Sequence, residues 1–219
     1  KFAGIPHRLG YAGRGRWFSL NHRVPHRTDV YRMRKLTARR IRSAIQSGIS
    51  AQEPISADSH HVHHYLHLLS HLGVSPEACA PTIDVSPAKA ARVAAEFGIP
   101  SGPRRPIIGI NAGAEYGAAK RWPPDRFVAA ILSLHRRLNC HIILFGGPGD
   151  LSTSNQIARG LLEFTHDDPA APGVSLFDIS GKTTLGELAA LLKNCHLLIS
   201  NDTGPTHLAA AVGTPVIVP

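Results

Sequence analysis

From residue 107 onward the apolar residues follow two alternating patterns. Short, nearly unbroken runs, "IIGIN" (107–111), "HIILF" (141–145), "VSLFD" (174–178), "HLLIS" (196–200) and "VIV" (216–218), have the length of buried strands. Between them the apolar positions space out. "PDRFVAAILSLHRRLN" sets Phe127, Ile131, Leu134 and Leu138 on one face of a helix, and "STSNQIARGLLEF" is helical as well. "TLGELAALLKN" opens with Thr184 and carries Glu187 three residues later, the spacing of a capping box. A last helix follows "HLLIS" and should end at Gly213. Strands alternating with helices imply parallel pairing, because each crossover needs a helix to return the chain. Runs that are apolar throughout suit strands covered on both faces. The pattern predicts an α/β, Rossmann-like doubly wound domain over 101–219, in which ligands bind at the carboxyl ends of the strands.

The first hundred residues are less regular. "HHVHHYLHLLSHLGV" is helix-like, "PTIDVS" (81–86) has the look of a short strand, and "PAKAARVAAEFG" is a helix that Gly98 would end. "FGIPSGPRRP" (97–106) packs three prolines and two glycines into ten residues, so a domain boundary is expected near residue 100. The sequence starts on "KFAGIPHRLGY" and stops on "TPVIVP", in or just after a strand, so it is expected to be a piece of a longer protein.

Composition adds a charge pattern. Lys and Arg number 24 against 15 acidic residues, a formal charge of +9, and Asp29 is the sole acid in residues 1–42. Such a block suits an anionic lipid surface, a phosphorylated substrate, a nucleic acid or plain solvent. No apolar stretch approaches the roughly 20 residues needed to span a bilayer. Cys79, Cys140 and Cys195 form neither a zinc spacing nor a disulfide framework, as expected of reduced, mostly buried thiols in a cytoplasmic protein.

Three strand-end loops carry the chemistry. "NAGAEYGAAKRWP" (111–123) has Gly113 and Gly117 for close backbone approach, and Lys120 and Arg121 for positive charge. "GGPGD" (146–150) is a turn with neither a Walker lysine nor a dinucleotide fingerprint. In "SNDTGPTH" (200–207), Pro205 suits a first helical turn, and the N–H groups of Thr203, Gly204 and Thr206 would make an anion site. Asp202 would repel phosphate; capping the helix, or contacting a hydroxyl or a base, are alternatives for it. Paired with the Lys120 loop, this stretch points to a phosphate-containing ligand.

Those loops, with "GKTTLGELAALLKNCHLLISNDTGPTHLAAAVGTP" and the N-terminal "FAGIPHRLGY" and "HHVHHYLHLLSHLG", resemble the ADP-heptose:lipopolysaccharide heptosyltransferases of glycosyltransferase family 9, particularly the heptosyltransferase II branch. The resemblance implies a GT-B enzyme of two Rossmann-like domains. Residues 1–100 would be the latter part of the N-terminal, acceptor-side domain, and 101–219 a nucleotide-sugar-binding domain short of its C-terminus. It implies transfer of heptose from ADP-heptose to the lipopolysaccharide inner core, with no cofactor and no metal. By position Lys120 would stabilise the departing ADP. Gly113, Lys120, Arg121, Gly147, Asp202, Thr203, Gly204 and His207 would line the nucleotide-sugar site. The family's general base lies in a Gly-rich loop of the N-terminal domain, outside this sequence, so no base is assigned and the piece alone is expected to be inactive. The heptosyltransferase I branch has an acid after the second strand that can hold the ribose; this chain departs from it with "GGPGD", as the II-like branch does, and Asp150 is the available substitute. The setting implied is the cytoplasm of a Gram-negative bacterium, peripheral to the anionic inner membrane. A non-catalytic nucleotide-sugar-binding relic, or a member with another sugar or acceptor, are the alternatives.

Other features have plainer readings. His60, His64, His67 and His71 share one helical face, but no cysteine or carboxylate lies close by to complete a zinc site, so a polar face toward the acceptor is expected. Trp17 and Phe18 sit in the basic block without any RNA-binding module, so no nucleic-acid partner is expected. Glu115 is either a site acid or a loop residue.

Overall fold

The computed structural model describes residues 4–13, 15–29, 37–47, 57–100, 105–114, 120–167 and 173–219. Two compact units divide between Cys79 and Ala80. In the first, β1 (Leu9–Tyr11) and β2 (His22–Val24) form a small parallel pair in register Leu9↔His22. Helices α1 (Ala38–Gln46) and α2 (Val62–Ser70) follow. α2 lies within the expected histidine-rich helix, whereas the strand pair and α1 went unforeseen in the basic, irregular segment.

The second unit opens with α3 (Pro87–Glu96). Ser86 caps it by accepting from the Lys89 N–H, and Gly98 closes it in the left-handed region at φ 65°. The rest alternates as expected: β3 (Ile107–Asn111), α4 (Pro124–Leu138), β4 (His141–Phe145), α5 (Leu151–Asp167), β5 (Ser175–Asp178), α6 (Leu185–Asn194), β6 (Leu197–Ser200), α7 (Gly204–Val212) and β7 (Val216–Ile217). All five strands pair in parallel, in the order β5-β4-β3-β6-β7. The chain winds outward from β3 through β4 to β5, then returns across the sheet to place β6 on the other side of β3. The strand order therefore reverses between β3 and β6.

Side chains alternate strictly across this sheet. Ile107, Ile143, Phe145 and Leu198 meet α3, α6 and α7 on one face, while Ile108, Ile110, Ile142, Leu144 and Ile199 meet α4 and α5 on the other. Phe127 and Ile131 of α4 are fully buried. Each such burial is worth roughly 1.5–3 kcal/mol, against a few tenths per residue from helix propensity, so packing fixes this helix. Gly109 faces the first layer, where a Cβ would lie 2.8 Å from Phe145 Cε2 and 3.0 Å from Leu198 Cδ1. Gly109→Ala is expected to destabilise the protein by about 1–3 kcal/mol through overpacking, read as a lower urea midpoint at unchanged slope.

Three expectations need correcting. The boundary at residue 100 falls inside the second unit, because α3 packs on α6 and Asn194 Nδ2 donates to the Ala90 carbonyl at 2.8 Å. "PTIDVS" pairs with no strand: the Ile83 N–H donates to the Ala211 carbonyl of α7, and Val85 plugs the core beside α3. On α4 it is His135, not Leu138, that continues the buried face. His135 Nδ1 bonds the Cys140 carbonyl, and Leu138 is exposed where Asn139 leaves the helix at φ 46°. All three thiols are free; burial pushes Cys195 up to about 12 and raises Cys140, while Cys79 is exposed.

Candidate functional site

Register brings the carboxyl ends of the central strands level, since Asn111 of β3 pairs with both Phe145 of β4 and Ser200 of β6. The loops at 112–114, 146–150 and 201–203 leave side by side at the point where the strand order reverses. A crevice forms at such a point because neighbouring connections depart to opposite faces of the sheet. Here it is a cleft of about 670 Å³, walled on one side by Thr183, Thr184, Leu185 and Leu188 at the start of α6.

Buried amides hold the loops in place. Asn201, 3% exposed, donates from Nδ2 to the Ala112 carbonyl at 2.7 Å and accepts the Trp122 N–H on Oδ1 at 3.0 Å. One side chain thus fixes both ends of the segment that carries Lys120. Asn111, 2% exposed, donates to Ser200 Oγ at 3.1 Å and Thr203 Oγ1 at 3.0 Å, which sets the entry to α7. Sequence reasoning missed both residues. The available signal was a polar residue closing each apolar run, "IIGIN" and "LLISN".

Helix α7 starts at Gly204, with Pro205 in its first turn and Gly213 ending it at φ 86°. The Thr206 N–H is spent on the Thr203 carbonyl at 3.1 Å, so it does not face a ligand. No partner takes the N–H groups of Thr203 and Gly204 among the described residues. They carry the partial positive charge of a helix N-terminus. Beside them Lys120 Nζ donates to Asp202 Oδ2 at 2.7 Å, and His207 Nε2 lies 4.0 Å from Asp202 Oδ1.

Asp202 caps nothing here; its carboxylate holds the Lys120 ammonium at the helix start. That hydrogen bond, and then the lysine's charge, hold the Asp202 carboxyl below its ordinary range. A depressed carboxyl keeps its pair above the ordinary value and loses it only as pH falls through the lowered one. The pair is therefore intact at neutral pH.

Gly113, Lys120, Gly147, Asp202, Thr203, Gly204 and His207 all line the cleft. Arg121 does not: its Nε and Nη2 both donate to the Ala114 carbonyl, at 3.0 and 2.7 Å, turning the guanidinium away to brace the loop. Asp150 joins the lining instead. It accepts the Gly147 N–H at 2.9 Å and covers Gly113, where a Cβ would overlap its carboxylate. Glu115 and Gly117 lie outside the described residues. The predicted capping box forms beside the cleft, with Thr184 N–H donating to Glu187 Oε2 at 2.7 Å and Glu187 N–H to Thr184 Oγ1 at 3.3 Å. Of the histidine face, His64 and His67 both meet the Tyr11 hydroxyl, and among the described residues no three His, Cys, Asp or Glu side chains are placed to share a metal ion.

The arrangement suits a diphosphate, since one cation and two open N–H groups converge at the mouth of a cleft with an apolar wall. The model of glycosyltransferase family 9 (heptosyltransferase) matches residues 42–218. Lipooligosaccharide heptosyltransferase 2 of Haemophilus influenzae is 29% identical over 223 residues, 99% of this chain and 54% of that protein. Lipopolysaccharide heptosyltransferase 2 of Escherichia coli K12 is 28% identical over 219 residues, 99% of this chain and 53% of that protein. The solved structure of the E. coli ADP-heptose LPS heptosyltransferase II superposes with a TM-score of 0.64 at 23% identity, over 99% of this chain and 56% of that one, which shows the shared GT-B fold. The chain spans about half the length of the curated relatives it matches. With more than three quarters of its residues inside the family match, the chain belongs to glycosyltransferase family 9, the heptosyltransferases.

Proposed function

We propose that this chain supplies the nucleotide-sugar-binding unit, and part of the acceptor side, of an enzyme that transfers heptose from ADP-heptose to the lipopolysaccharide inner core. The observation that carries the proposal is Lys120, held at the open N-terminus of α7 inside the switch-point cleft. Family membership narrows the ligand, and the E. coli neighbour is described as an ADP-heptose enzyme.

In the reaction an acceptor hydroxyl oxygen attacks the anomeric carbon of heptose. The bond from that carbon to the β-phosphate oxygen breaks, and ADP leaves with the electron pair. The hydroxyl proton passes to a base that no residue of this chain is assigned to be. Negative charge grows on the departing diphosphate, where donors fixed in advance lower the barrier most. Lys120 exchanges its Asp202 partner for a phosphate oxygen, and the Thr203 and Gly204 N–H groups complete the cradle. Asp202, relieved of Lys120, accepts from a sugar hydroxyl beside His207. As the family resemblance implies, the transfer needs no resident metal, so a chelator should leave turnover intact.

Gly204 separates ligand from scaffold. A Cβ there meets nothing within 4 Å and the backbone needs no left-handed φ. Gly204→Ala should therefore leave the melting temperature unchanged while crowding the phosphate and weakening ADP, by roughly tenfold for one displaced charge-assisted hydrogen bond. Binding unchanged by calorimetry would place the diphosphate elsewhere.

The enzyme would work in the cytoplasm at the inner face of a Gram-negative inner membrane. No helix among the described residues is long and apolar enough to cross a membrane. The basic residues of 1–42 favour an anionic lipid surface. The function is tested by giving the full-length protein ADP-heptose and heptose-deficient lipopolysaccharide. ADP release that depends on both supports transfer; ADP-heptose binding without release marks a binding relic.

A further inference from the structure

The first unit has a cavity of its own, about 450 Å³, on the face where α2 meets β1. Tyr11 forms its back and is locked from every side. Its hydroxyl donates to the His64 carbonyl at 2.8 Å, which uses its single proton. The imidazole contact to the same oxygen, also 2.8 Å, must then be donated by His67 Nδ1–H. The ring lies between His26 at 4.9 Å and His67 at 5.7 Å, both within 8° of parallel. His26 Nε2 donates to the Ala12 carbonyl at 2.9 Å, which fixes that ring too.

The lining is one-sided in charge. Arg16, His26, His61 and His64 face the space with Tyr65 and three leucines, and among the described residues no carboxylate lines it. The Arg16 guanidinium has no hydrogen-bond or ion-pair partner among the described residues, and neither ring nitrogen of His61 or His64 has a hydrogen bond there. The imidazoles do not converge as metal ligands. Rigid aromatic walls, apolar side chains and unpaired donors of one sign suit a ring-shaped polyol that carries an anion.

The geometry points to this cavity as a binding site for the phosphate monoester of a sugar, with Arg16, His61 and His64 donating to the phosphate and the sugar ring lying against Tyr65 and the leucine wall. The site stands on the first unit alone and does not depend on the nucleotide-sugar cleft. His64 gives it independent support. Burial, and then the positive charge of His61, Arg27, His26 and His67, hold its pKa below the ordinary value. Of these, Arg27 is itself tied to Asp29 at 2.6 Å. Tyr11 contributes no charge, because burial raises its pKa. A bound dianion would reverse the repulsion and raise the His64 pKa. By linkage the ligand then binds more tightly as pH falls.

The test is an imidazole-resolved NMR titration of the whole 219-residue chain with glucose 6-phosphate, inorganic phosphate and glucose at matched ionic strength. Glucose 6-phosphate should move the His61 and His64 signals saturably and raise the His64 pKa. Inorganic phosphate should act on the same signals with lower affinity, and glucose should not act. Arg16→Gln and His61→Gln, both at exposed positions, should each weaken binding by roughly tenfold while ADP affinity in the second unit stays unchanged. Shifts reproduced by sodium chloride would overturn the site, as would affinity unaltered by Arg16→Gln. Inorganic phosphate binding as tightly as glucose 6-phosphate would overturn the sugar specificity.

Discussion

Lys120→Ala in the full-length transferase is expected to lower kcat by roughly 10²–10³, the range for removing one preorganised donor from a developing negative charge. KM for ADP-heptose should rise by a smaller factor, because the lysine contributes most once charge has moved onto the diphosphate. Stability should barely change, since Lys120 and Asp202 are both about half exposed and an exposed pair contributes little. Lys120→Arg should recover part of kcat, as charge is kept but the compact ammonium geometry is not. The pattern separates Lys120 from its neighbour. Arg121→Ala removes two hydrogen bonds to the Ala114 carbonyl and should act by loosening the loop. Its signature is a lower melting temperature and a raised KM. Equal kcat losses for the two variants would contradict this division of labour.

The second large effect is structural. Asn201→Ala leaves the Ala112 carbonyl and the Trp122 N–H without partners in a buried setting. Each such group costs about 1–3 kcal/mol, so a loss of roughly 2–6 kcal/mol is expected. For a protein of this size that lowers Tm by roughly 4–24 °C. ADP affinity should fall with it, because Lys120 is held opposite α7 by this one amide. Gly204→Ala provides the contrast, with affinity lost and stability kept. A thermal scan and an ADP titration on both variants distinguish a strut from a ligand contact. Asn201→Ala with wild-type stability would remove the strut from the account.

The sheet and its loops were legible because local pattern and tertiary demand agree there. Strands buried on both faces must be apolar throughout, and "IIGIN", "HIILF" and "HLLIS" show it directly. Pro205 and Gly213 mark the ends of α7 by backbone restrictions that do not depend on the rest of the fold. Wherever long-range partners decide, the sequence was silent. Asp202 looked wrong for a phosphate site until its partner, 82 residues away, came into view. Lys120 and Arg121 are neighbouring cations that the sequence places in the same loop, yet one enters the cleft and the other turns back onto its own loop. "PTIDVS" has strand composition, but its N–H finds a helix carbonyl rather than a sheet edge. Asn111 and Asn201 went unassigned because their hydrogen bonds are made across the gap between two strands. Helical spacing predicted a polar histidine face on α2, but Tyr11, 56 residues from His67, decides where His67 points.

The central claim is that the crevice between β3 and β6 holds a nucleoside diphosphate against Lys120 and the start of α7. Calorimetric titration of ADP into the wild-type protein and into Lys120→Ala tests it most directly. The account predicts one ADP per chain, weakened by salt and by at least roughly tenfold on loss of the lysine, the scale of one charge-assisted contact. No saturable binding by the wild-type protein, or equal affinity in the two proteins, would contradict it.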